Sequence, residues 1–235
     1  MTLNLDHLSY IYRGRPILNS VTANIPCASL TCLLGSNGAG KTTLLRIISG
    51  ELEATSGTFL VGDTNGSTIS QKELAHYFSI IPQGIQSPSH FTVIELVNLG
   101  RFRKNRAFRW RLSTRDHEIV DEALRKCNAN QFSERRMREL SQGEQQRVWL
   151  AFTLAQEKDY LLLDETLDDL DVLNRRTFFQ LIKEVAAAGK GVLLTTHDLG
   201  LVTEFADQII VLNNGKISYE GPPQGDISKL LCSPE

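Results

Sequence analysis

The stretch GSNGAGKTT, residues 35–43, decides the fold of this chain. It matches the pattern G-x-x-x-x-G-K-[ST] through Thr42, in which glycines let the backbone curl until its N–H groups point at phosphate oxygens. Lys41 supplies a positive charge for the β- and γ-phosphates, and the hydroxyl of Thr42 can ligate Mg²⁺. The pattern predicts a nucleotide-binding loop formed by Gly35, Ser36, Asn37, Gly38, Ala39, Gly40, Lys41, Thr42 and Thr43.

The segments on either side of this loop provide the context that the motif requires. Residues 30–34 are an apolar run typical of a buried strand, and the sequence after the loop has helical spacing up to Gly50. A glycine-rich turn that carried a lysine by chance would lack this strand and this helix. Further along, apolar runs that end near Gln83, Glu165 and His197 alternate with helical patterns, which indicates a parallel sheet.

The complete pattern predicts an α/β fold. Residues 1–30 alternate polar and apolar side chains and are interpreted as short antiparallel strands. The block between Gln83 and Ser141 is helical and interrupts the alternation of strands and helices. We therefore predict a P-loop NTPase core with a parallel sheet, an N-terminal antiparallel β-subdomain and an inserted α-helical subdomain at about residues 84–140. The 235 residues suit one such domain, residues 1–235.

Composition argues against several classes of protein. The formal net charge of -2 disfavours general nucleic-acid binding, which needs a strong basic excess. Cys27, Cys32, Cys127 and Cys232 form no C-x-x-C pair, which favours reduced thiols and a cytosolic location. No basic start followed by an apolar stretch is present, so we expect no signal peptide. No apolar run reaches the roughly 18 residues of a membrane span.

The stretch LLLDETLDDLD, residues 161–171, places five carboxylates close together. Asp164 ends an apolar run, which is where P-loop proteins hold the aspartate that contacts Mg²⁺. Glu165 follows and is the natural general base, because its carboxylate can accept a proton from the attacking water. Asp168 and Asp169 are interpreted either as solvated or as a brake on hydrolysis. Asp171 is a candidate cap for the helix that follows.

Six motifs in a fixed order resemble those of ABC-transporter ATPases, and together they cover nearly the whole chain. LSQGEQQRV, residues 140–148, is similar to the family's signature motif, and Gln83 to its Q-loop glutamine. His197 resembles the switch histidine and Asp171 the aspartate of the D-loop. Tyr12 is similar to the aromatic residue that stacks on adenine, although Tyr10 could take that role and either could simply pack.

This resemblance implies an ATPase with ATP and Mg²⁺ as cofactors. Its catalytic residues would be Glu165, His197 and Gln83, and its metal contacts would come from Thr42, Gln83 and Asp164.

The signature motif also has an interpretation from local chemistry. Ser141-Gln142-Gly143-Glu144 fits the capping-box pattern S-x-x-E, which predicts a helix that begins there. A helix N-terminus with a serine hydroxyl and a small glycine also suits an anion. In the family, Ser141 and Gly143 would contact the γ-phosphate of ATP held by the other subunit. The resemblance therefore implies a head-to-tail homodimer with Asp171 at its interface.

The chain departs from the family's pattern beside the presumed general base. Proline usually follows the catalytic glutamate, whereas Thr166 stands here, and Asp168 and Asp169 replace small residues. Threonine keeps its backbone N–H and leaves φ unrestricted, so the loop gains freedom. The two aspartates add negative charge near an interface that binds ATP. We predict slower or more tightly regulated hydrolysis rather than its loss.

FTVIELVNLGRFRKNR, residues 91–106, resembles the importer branch for iron-siderophores, haem and cobalamin. The pattern TV-x-E-x-V-x-x-GR is matched by Thr92, Val93, Glu95, Val97, Gly100 and Arg101. The resemblance implies membrane permease subunits, an extracytoplasmic solute-binding protein acting through them, and a peripheral location on the cytoplasmic face of the plasma (inner) membrane. The alternatives are a soluble ABC ATPase of iron–sulfur assembly or translation, and the ATPase of an exporter.

A run of basic residues without an acid follows. Its members are Arg101, Arg103, Lys104, Arg106, Arg109 and Arg111. It is either a solvated loop or a face turned to membrane headgroups or to permease loops, as the aromatic residues Phe102, Phe108 and Trp110 suggest. Nucleic acid is disfavoured by the overall charge.

Overall fold

The computed structural model describes residues 1–86, 88–102, 112–167 and 170–232. Asp168, Asp169 and most of the basic run, from Arg103 to Arg111, lie outside these ranges, so the predictions made for them remain predictions.

An antiparallel sheet forms the N-terminal part of the chain. Its strand order is β2-β1-β4-β5, with β1 at Thr2–Tyr12, β2 at Arg15–Pro26, β4 at Ser56–Val61 and β5 at Thr64–Asn65. Polar and apolar residues alternate along β1 and β2, so one face of each strand packs into the core and the other meets solvent. The predicted antiparallel strands are confirmed, and they are longer than expected.

A second sheet of six strands has the order β10-β9-β3-β8-β7-β6. The strands are β3 at Ser29–Leu34, β6 at Phe78–Ile81, β7 at Tyr160–Asp164, β8 at Gly191–Thr195, β9 at Gln208–Asn213 and β10 at Lys216–Gly221. Neighbours pair in parallel except β9 and β10, which form an antiparallel hairpin. Every residue of β3, β7 and β8 is buried, because helices pack on one face of the sheet, and the helix that follows the glycine-rich loop packs on the other face together with the N-terminal antiparallel sheet.

The helices lie between or after these strands in the chain. They are α1 at Lys41–Ile48, α2 at Gln71–Leu74, α3 at Val93–Leu99, α4 at Thr114–Lys126, α5 at Gln142–Ala155, α6 at Val172–Ala187, α7 at Leu199–Phe205 and α8 at Ile227–Cys232. Short 3₁₀ turns at Asn130–Phe132 and Met137–Glu139 precede α5. Within the described ranges, no helix is both long and apolar enough to cross a bilayer. The sequence patterns did not predict β5, α2 or α8.

The helices α3 to α5 lie between β6 and β7 in the chain, and local hydrogen bonds explain where they begin. Thr92, Ser113 and Ser141 each cap a helix and form a capping box with the acidic residue three positions later. The predicted helix start at Ser141 is therefore confirmed. Parallel strands on either side of this helical block confirm the predicted α/β class.

The expectation for Arg101 was wrong. Its side chain is only 8% exposed and does not belong to a solvated or membrane-facing basic surface. Its Nε donates to Asp116 Oδ1 at 3.0 Å, and its Nη1 donates to Ala155 O at 2.6 Å and to Glu157 Oε2 at 2.8 Å. Arg101 thus joins α3, α4 and α5, because a buried guanidinium needs acceptors that only neighbouring helices can supply.

Candidate nucleotide site

The glycine-rich loop connects the buried strand β3 to α1. Gly40 has φ 108°, and a Cβ there would approach Leu18 Cδ2 to 2.7 Å, so both the backbone angle and the space favour glycine. The side chain of Lys41 turns back into the loop, where Nζ donates to Gly35 O at 2.9 Å and to Ser36 O at 3.4 Å. These bonds hold the ammonium over the loop whose N–H groups are suited to phosphate.

Glu165 is the centre of the site. Its Oε1 lies 3.4 Å from Lys41 Nζ and 3.3 Å from His197 Nε2, and its Oε2 accepts a 2.6 Å hydrogen bond from Gln83 Nε2. Lys41 is the first residue of α1, and the other three residues follow the ends of β6, β7 and β8. The carboxyl ends of parallel strands meet at one edge of a sheet, and this edge is where α/β proteins place their ligands.

A threonine that the sequence analysis did not single out holds the two acids in place. The Thr195 hydroxyl accepts a 2.7 Å hydrogen bond from the Glu165 N–H and donates at 2.8 Å to Asp164 Oδ1. It therefore fixes the backbone of one acid and the carboxylate of the other. The only sequence signal was that Thr195 lies two residues before His197. A hydrogen bond from a hydroxyl on one strand to residues of another strand cannot be predicted from either sequence alone.

Glu165 has an uncommon backbone conformation. Its φ is +45°, in the left-handed region that non-glycine residues rarely adopt. The next residue, Thr166, is 4% exposed, and its hydroxyl has no hydrogen-bond partner among the described residues. Such outliers occur where the surrounding structure holds a residue in place for function.

An open cavity lies over the glycine-rich loop. Its lining combines residues of this loop and of α1 with Gln83 after β6 and Glu165 after β7. The lining residues are Ile17, Asn37, Gly38, Ala39, Gly40, Lys41, Thr42, Thr43, Gln83 and Glu165. Ile17 was not predicted from the sequence. Tyr12 is not among the lining residues; its ring is half exposed and stacks under the guanidinium of Arg13, 5.3 Å from its centroid. Tyr10 instead packs against the core of the N-terminal sheet.

Ser141 and Gly143, from the motif at residues 140–148, lie apart from the group around Glu165 and contact other residues of the chain. Ser141 N and Oγ donate to Glu144 Oε2 at 2.8 and 2.9 Å, which confirms the predicted capping box. These bonds lower the pKa of Glu144, the backbone N–H of Ser141 contributing most. A Cβ on Gly143 would lie 3.1 Å from the side chain of Asn174, so the first turns of α5 and α6 are in close contact.

Asp171 caps α6, as predicted. Its carboxylate accepts hydrogen bonds from Asn174 N at 2.9 Å and from Asn174 Nδ2 at 2.5 Å. The backbone N–H, and then the amide, hold the pKa of Asp171 below its usual value. The structure thus groups Asp171 with Ser141 and Gly143, and groups Lys41, Gln83, Glu165 and His197 around the loop.

The donor set around the loop fits a magnesium ion. The described residues contain no cluster of three or more acidic, histidine or cysteine side chains that could form a closed metal site. Mg²⁺ at a nucleotide needs only one or two protein oxygens, because phosphates and water complete its octahedron. The hydroxyl of Thr42, which lines the cavity, and the carboxylate of the buried Asp164 are such oxygens.

Residues 18–168 match the family model described as ABC transporter. The petrobactin import ATP-binding protein FpuD of Bacillus anthracis is 33% identical over 231 residues, which cover 97% of this chain and 84% of that protein. The hemin import ATP-binding protein HmuV of Rhizobium meliloti (strain 1021) is 36% identical over 230 residues, covering 94% of this chain and 86% of that protein.

A solved structure has the same fold. The dimeric structure of MJ0796, a bacterial ABC transporter cassette, superposes with a TM-score of 0.79 at 25% identity and covers 95% of this chain and 100% of that chain.

Proposed function

Since this chain belongs to the ABC transporter family of ATPases, we propose that it hydrolyses ATP to drive the import of an iron-siderophore, haem or cobalamin-type solute through a partner permease. The observation that carries the proposal is the convergence of Lys41, Gln83 and His197 on the Glu165 carboxylate. The names of the relatives, which import petrobactin and hemin, support the class of solute. We further propose that residues 1–235 form a single ATPase domain with the helical insert at about residues 84–140.

The glycine-rich loop would bind the phosphates of ATP. The N–H groups of residues Gly35 to Thr43 and the first turn of α1 supply partial positive charge, and Lys41 supplies a full one. ATP brings phosphate oxygens to an ammonium that otherwise meets Glu165 at 3.4 Å. Binding the nucleotide would therefore loosen Glu165 from Lys41 and leave its carboxylate for a water molecule. Tyr12 is proposed to stack on the adenine at the rim of the site.

The two neighbouring acids would have different roles: Asp164 would bind the metal, and Glu165 would act on the water. Thr42, Asp164 and Gln83 would hold Mg²⁺, which would supply positive charge to offset the negative charge that develops during phosphoryl transfer. Glu165 would accept the proton of the attacking water, and His197 would hydrogen-bond the γ-phosphate. The Thr195 hydroxyl would keep the two acids at a fixed distance from each other, because it bonds to the Asp164 carboxylate and to the Glu165 N–H.

A second subunit would complete the site. Ser141, Gly143 and Asp171 lie together, and in a head-to-tail homodimer they would meet the ATP held by the partner copy. The dimeric cassette structure of a relative supports this arrangement. Closure of the dimer would then move permease subunits on the cytoplasmic face of the plasma membrane, and an extracytoplasmic binding protein would deliver the solute. No role in nucleic-acid binding is proposed.

The experiment that tests the proposal is affinity capture of tagged Glu165→Gln protein from native cells in mild detergent with ATP. This variant keeps the loop and should trap the closed, ATP-bound state. A stoichiometric polytopic membrane protein in the eluate is expected. Lys41→Ala is the matched control. It should bind ATP weakly, so the amount of membrane protein that it recovers with ATP should be smaller than with Glu165→Gln. Recovery of soluble proteins alone would contradict the importer assignment and favour a non-transport ATPase.

A further inference from the structure

Arg175, on α6, joins the two chain segments that follow the proposed general base and the proposed switch histidine. Its Nη2 donates to the backbone carbonyl of Leu170 at 2.9 Å, and its Nη1 donates to Asp198 Oδ2 at 3.1 Å. Leu170 lies on the segment that leads from Glu165 to α6. Asp198 directly follows His197. One guanidinium therefore spans the gap between the two segments, because its planar fork can bind two acceptors at once.

Both acceptors of Arg175 are themselves held in place. Leu170 is buried in the larger hydrophobic core, which fixes its carbonyl. Asp198 Oδ1 accepts from Leu201 N at 3.1 Å and so caps α7, and the N–H of Asp198 donates to Thr196 Oγ1 at 3.2 Å. The carboxylate that follows the histidine is therefore bonded to α7 through one oxygen and to α6 through the other.

The His197 ring depends on the backbone beneath it. Its Nε2 lies 3.3 Å from Glu165 Oε1, but the side chain is 43% exposed, so packing restrains the ring only in part. On the strand side, Thr195 fixes this backbone through its bonds to Asp164 and Glu165. On the helix side, the bond from Arg175 to the residue after the histidine does the same.

The neighbouring residue Arg176 makes a different kind of link. Its guanidinium binds Glu204 on α7 at 2.6 Å and lies over the ring of Phe205, 5.6 Å from the ring centroid. This ion pair already joins the bodies of α6 and α7. The bonds of Arg175 to Leu170 and Asp198 instead reach the residues that precede these two helices. They therefore bear on where the segments beside the nucleotide site lie.

We propose that Arg175 is a positioning residue for ATP hydrolysis, which holds His197 where it would bond the γ-phosphate. It would touch neither the nucleotide nor the attacking water and would act through Asp198. Its loss would lower kcat and leave the KM for ATP nearly unchanged, because the glycine-rich loop that would bind the phosphates is not altered. This inference rests on the proposed ATPase function.

The test is a double-mutant cycle that measures ATP turnover of Arg175→Gln with His197 intact and with His197→Ala. We expect Arg175→Gln to lower kcat about tenfold when the histidine is present, and by less than about twofold when it is absent. The KM for ATP should stay within about twofold of the native value. Single-turnover release of phosphate measures the slow background. A residue with only a structural role would cause the same loss in both backgrounds.

Arg176→Gln is the matched control, because it breaks the ion pair with Glu204 between the same two helices and should leave kcat unchanged. Asp198→Asn removes the partner's charge but keeps an oxygen that can cap α7, so it tests the same pair even if Arg175→Gln does not fold. The two changes together should lower kcat no further than either alone. Arg175→Lys keeps the charge but not the fork and should restore part of the activity.

Each outcome decides the matter. A kcat of Arg175→Gln within about twofold of the native value would overturn the inference and leave the proposed ATPase intact. An equal loss with and without His197 would also overturn it and would make Arg175 a purely structural residue. A native protein that does not hydrolyse ATP would contradict the proposed function, and this inference with it.

Discussion

The Glu165 carboxylate lies 3.4 Å from the Lys41 ammonium, although Lys41 begins α1 and Glu165 follows β7, far along the chain. Both side chains are largely shielded from water. An ion pair in such a setting is stronger than one at the surface, because less solvent screens it. It joins the glycine-rich loop to the proposed general base, so in the proposed mechanism this one contact would link the binding of a phosphate to the activation of water.

We expect Glu165→Gln to lower ATP turnover by about 10²- to 10⁴-fold, because the amide cannot accept a proton from water. ATP binding should persist, since the substitution leaves the glycine-rich loop unchanged and removes a negative charge near the phosphates. Phosphate release and equilibrium binding of ATP would measure the two effects separately. Glu118→Gln, an exposed change on α4, serves as the control. Turnover close to that of the native protein would rule out Glu165 as the general base.

We expect Thr195→Val to reduce turnover about tenfold. Valine has the same shape but cannot bond to the Glu165 N–H or to the Asp164 carboxylate, so both acids lose their common anchor. Thr195→Ser keeps the hydroxyl and should restore most of the activity. Turnover of the two variants, together with the Mg²⁺ concentration for half-maximal activity, distinguishes an anchoring role from general loss of stability. Equal activity of the valine and serine variants would exclude that role.

Thr166→Pro should raise steady-state turnover if threonine slows hydrolysis, as its departure from the family's pattern predicts. The position follows Glu165 at φ +45°, and proline restricts the backbone of the residue before it, so this change acts on the proposed base directly. Unchanged turnover would end this explanation.

Thr166→Val separates the hydroxyl from the backbone effect. The Thr166 hydroxyl is buried without a partner among the described residues, and valine removes it while keeping the shape. We expect a gain of about 1 kcal/mol in the free energy of unfolding, with turnover unchanged. Urea denaturation measures the first quantity, and a loss of stability would mean that the hydroxyl is satisfied in solution.

The buried ion pair of Arg101 and Asp116 predicts a dependence of stability on pH. The hydroxyl and N–H of Ser113, together with the Arg101 guanidinium, hold the pKa of Asp116 well below its usual value. A carboxyl whose pKa is lower in the folded state stabilises the fold above its unfolded pKa of about 3.9. That contribution is lost as the pH falls below this value towards the folded pKa.

We therefore expect Asp116→Asn to cost about 3 kcal/mol at pH 7 and to flatten the fall in stability below about pH 4. Glu122→Gln breaks the exposed pair with Lys126 on the same helix and should change stability by no more than about 0.5 kcal/mol. Urea denaturation of the three proteins between pH 7 and pH 3 measures both effects. Parallel curves for Asp116→Asn and the native protein would show that the pair does not carry this dependence.

Much of the architecture could be predicted from the sequence because its causes are local. The capping box at Ser141 and the cap at Asp171 each depend on residues three positions apart, and the glycine-rich loop depends on nine consecutive residues. The buried strands β3, β7 and β8 were visible as apolar runs, because a sheet that is covered on both faces has no solvent-facing side that would need polar residues.

The class of fold, the glycine-rich loop and the acids beside it could therefore be predicted from the chain's own residues. The tertiary structure decided where side chains with more than one possible environment would lie. Arg101 carries the same charge as its basic neighbours, yet it is buried and paired with Asp116 on α4 and with Glu157, which follows α5. Thr195 looks like any strand threonine until β7 and β8 pair and bring its hydroxyl to Asp164 and Glu165. Contacts of this kind depend on how distant elements pack, and no local pattern encodes that packing.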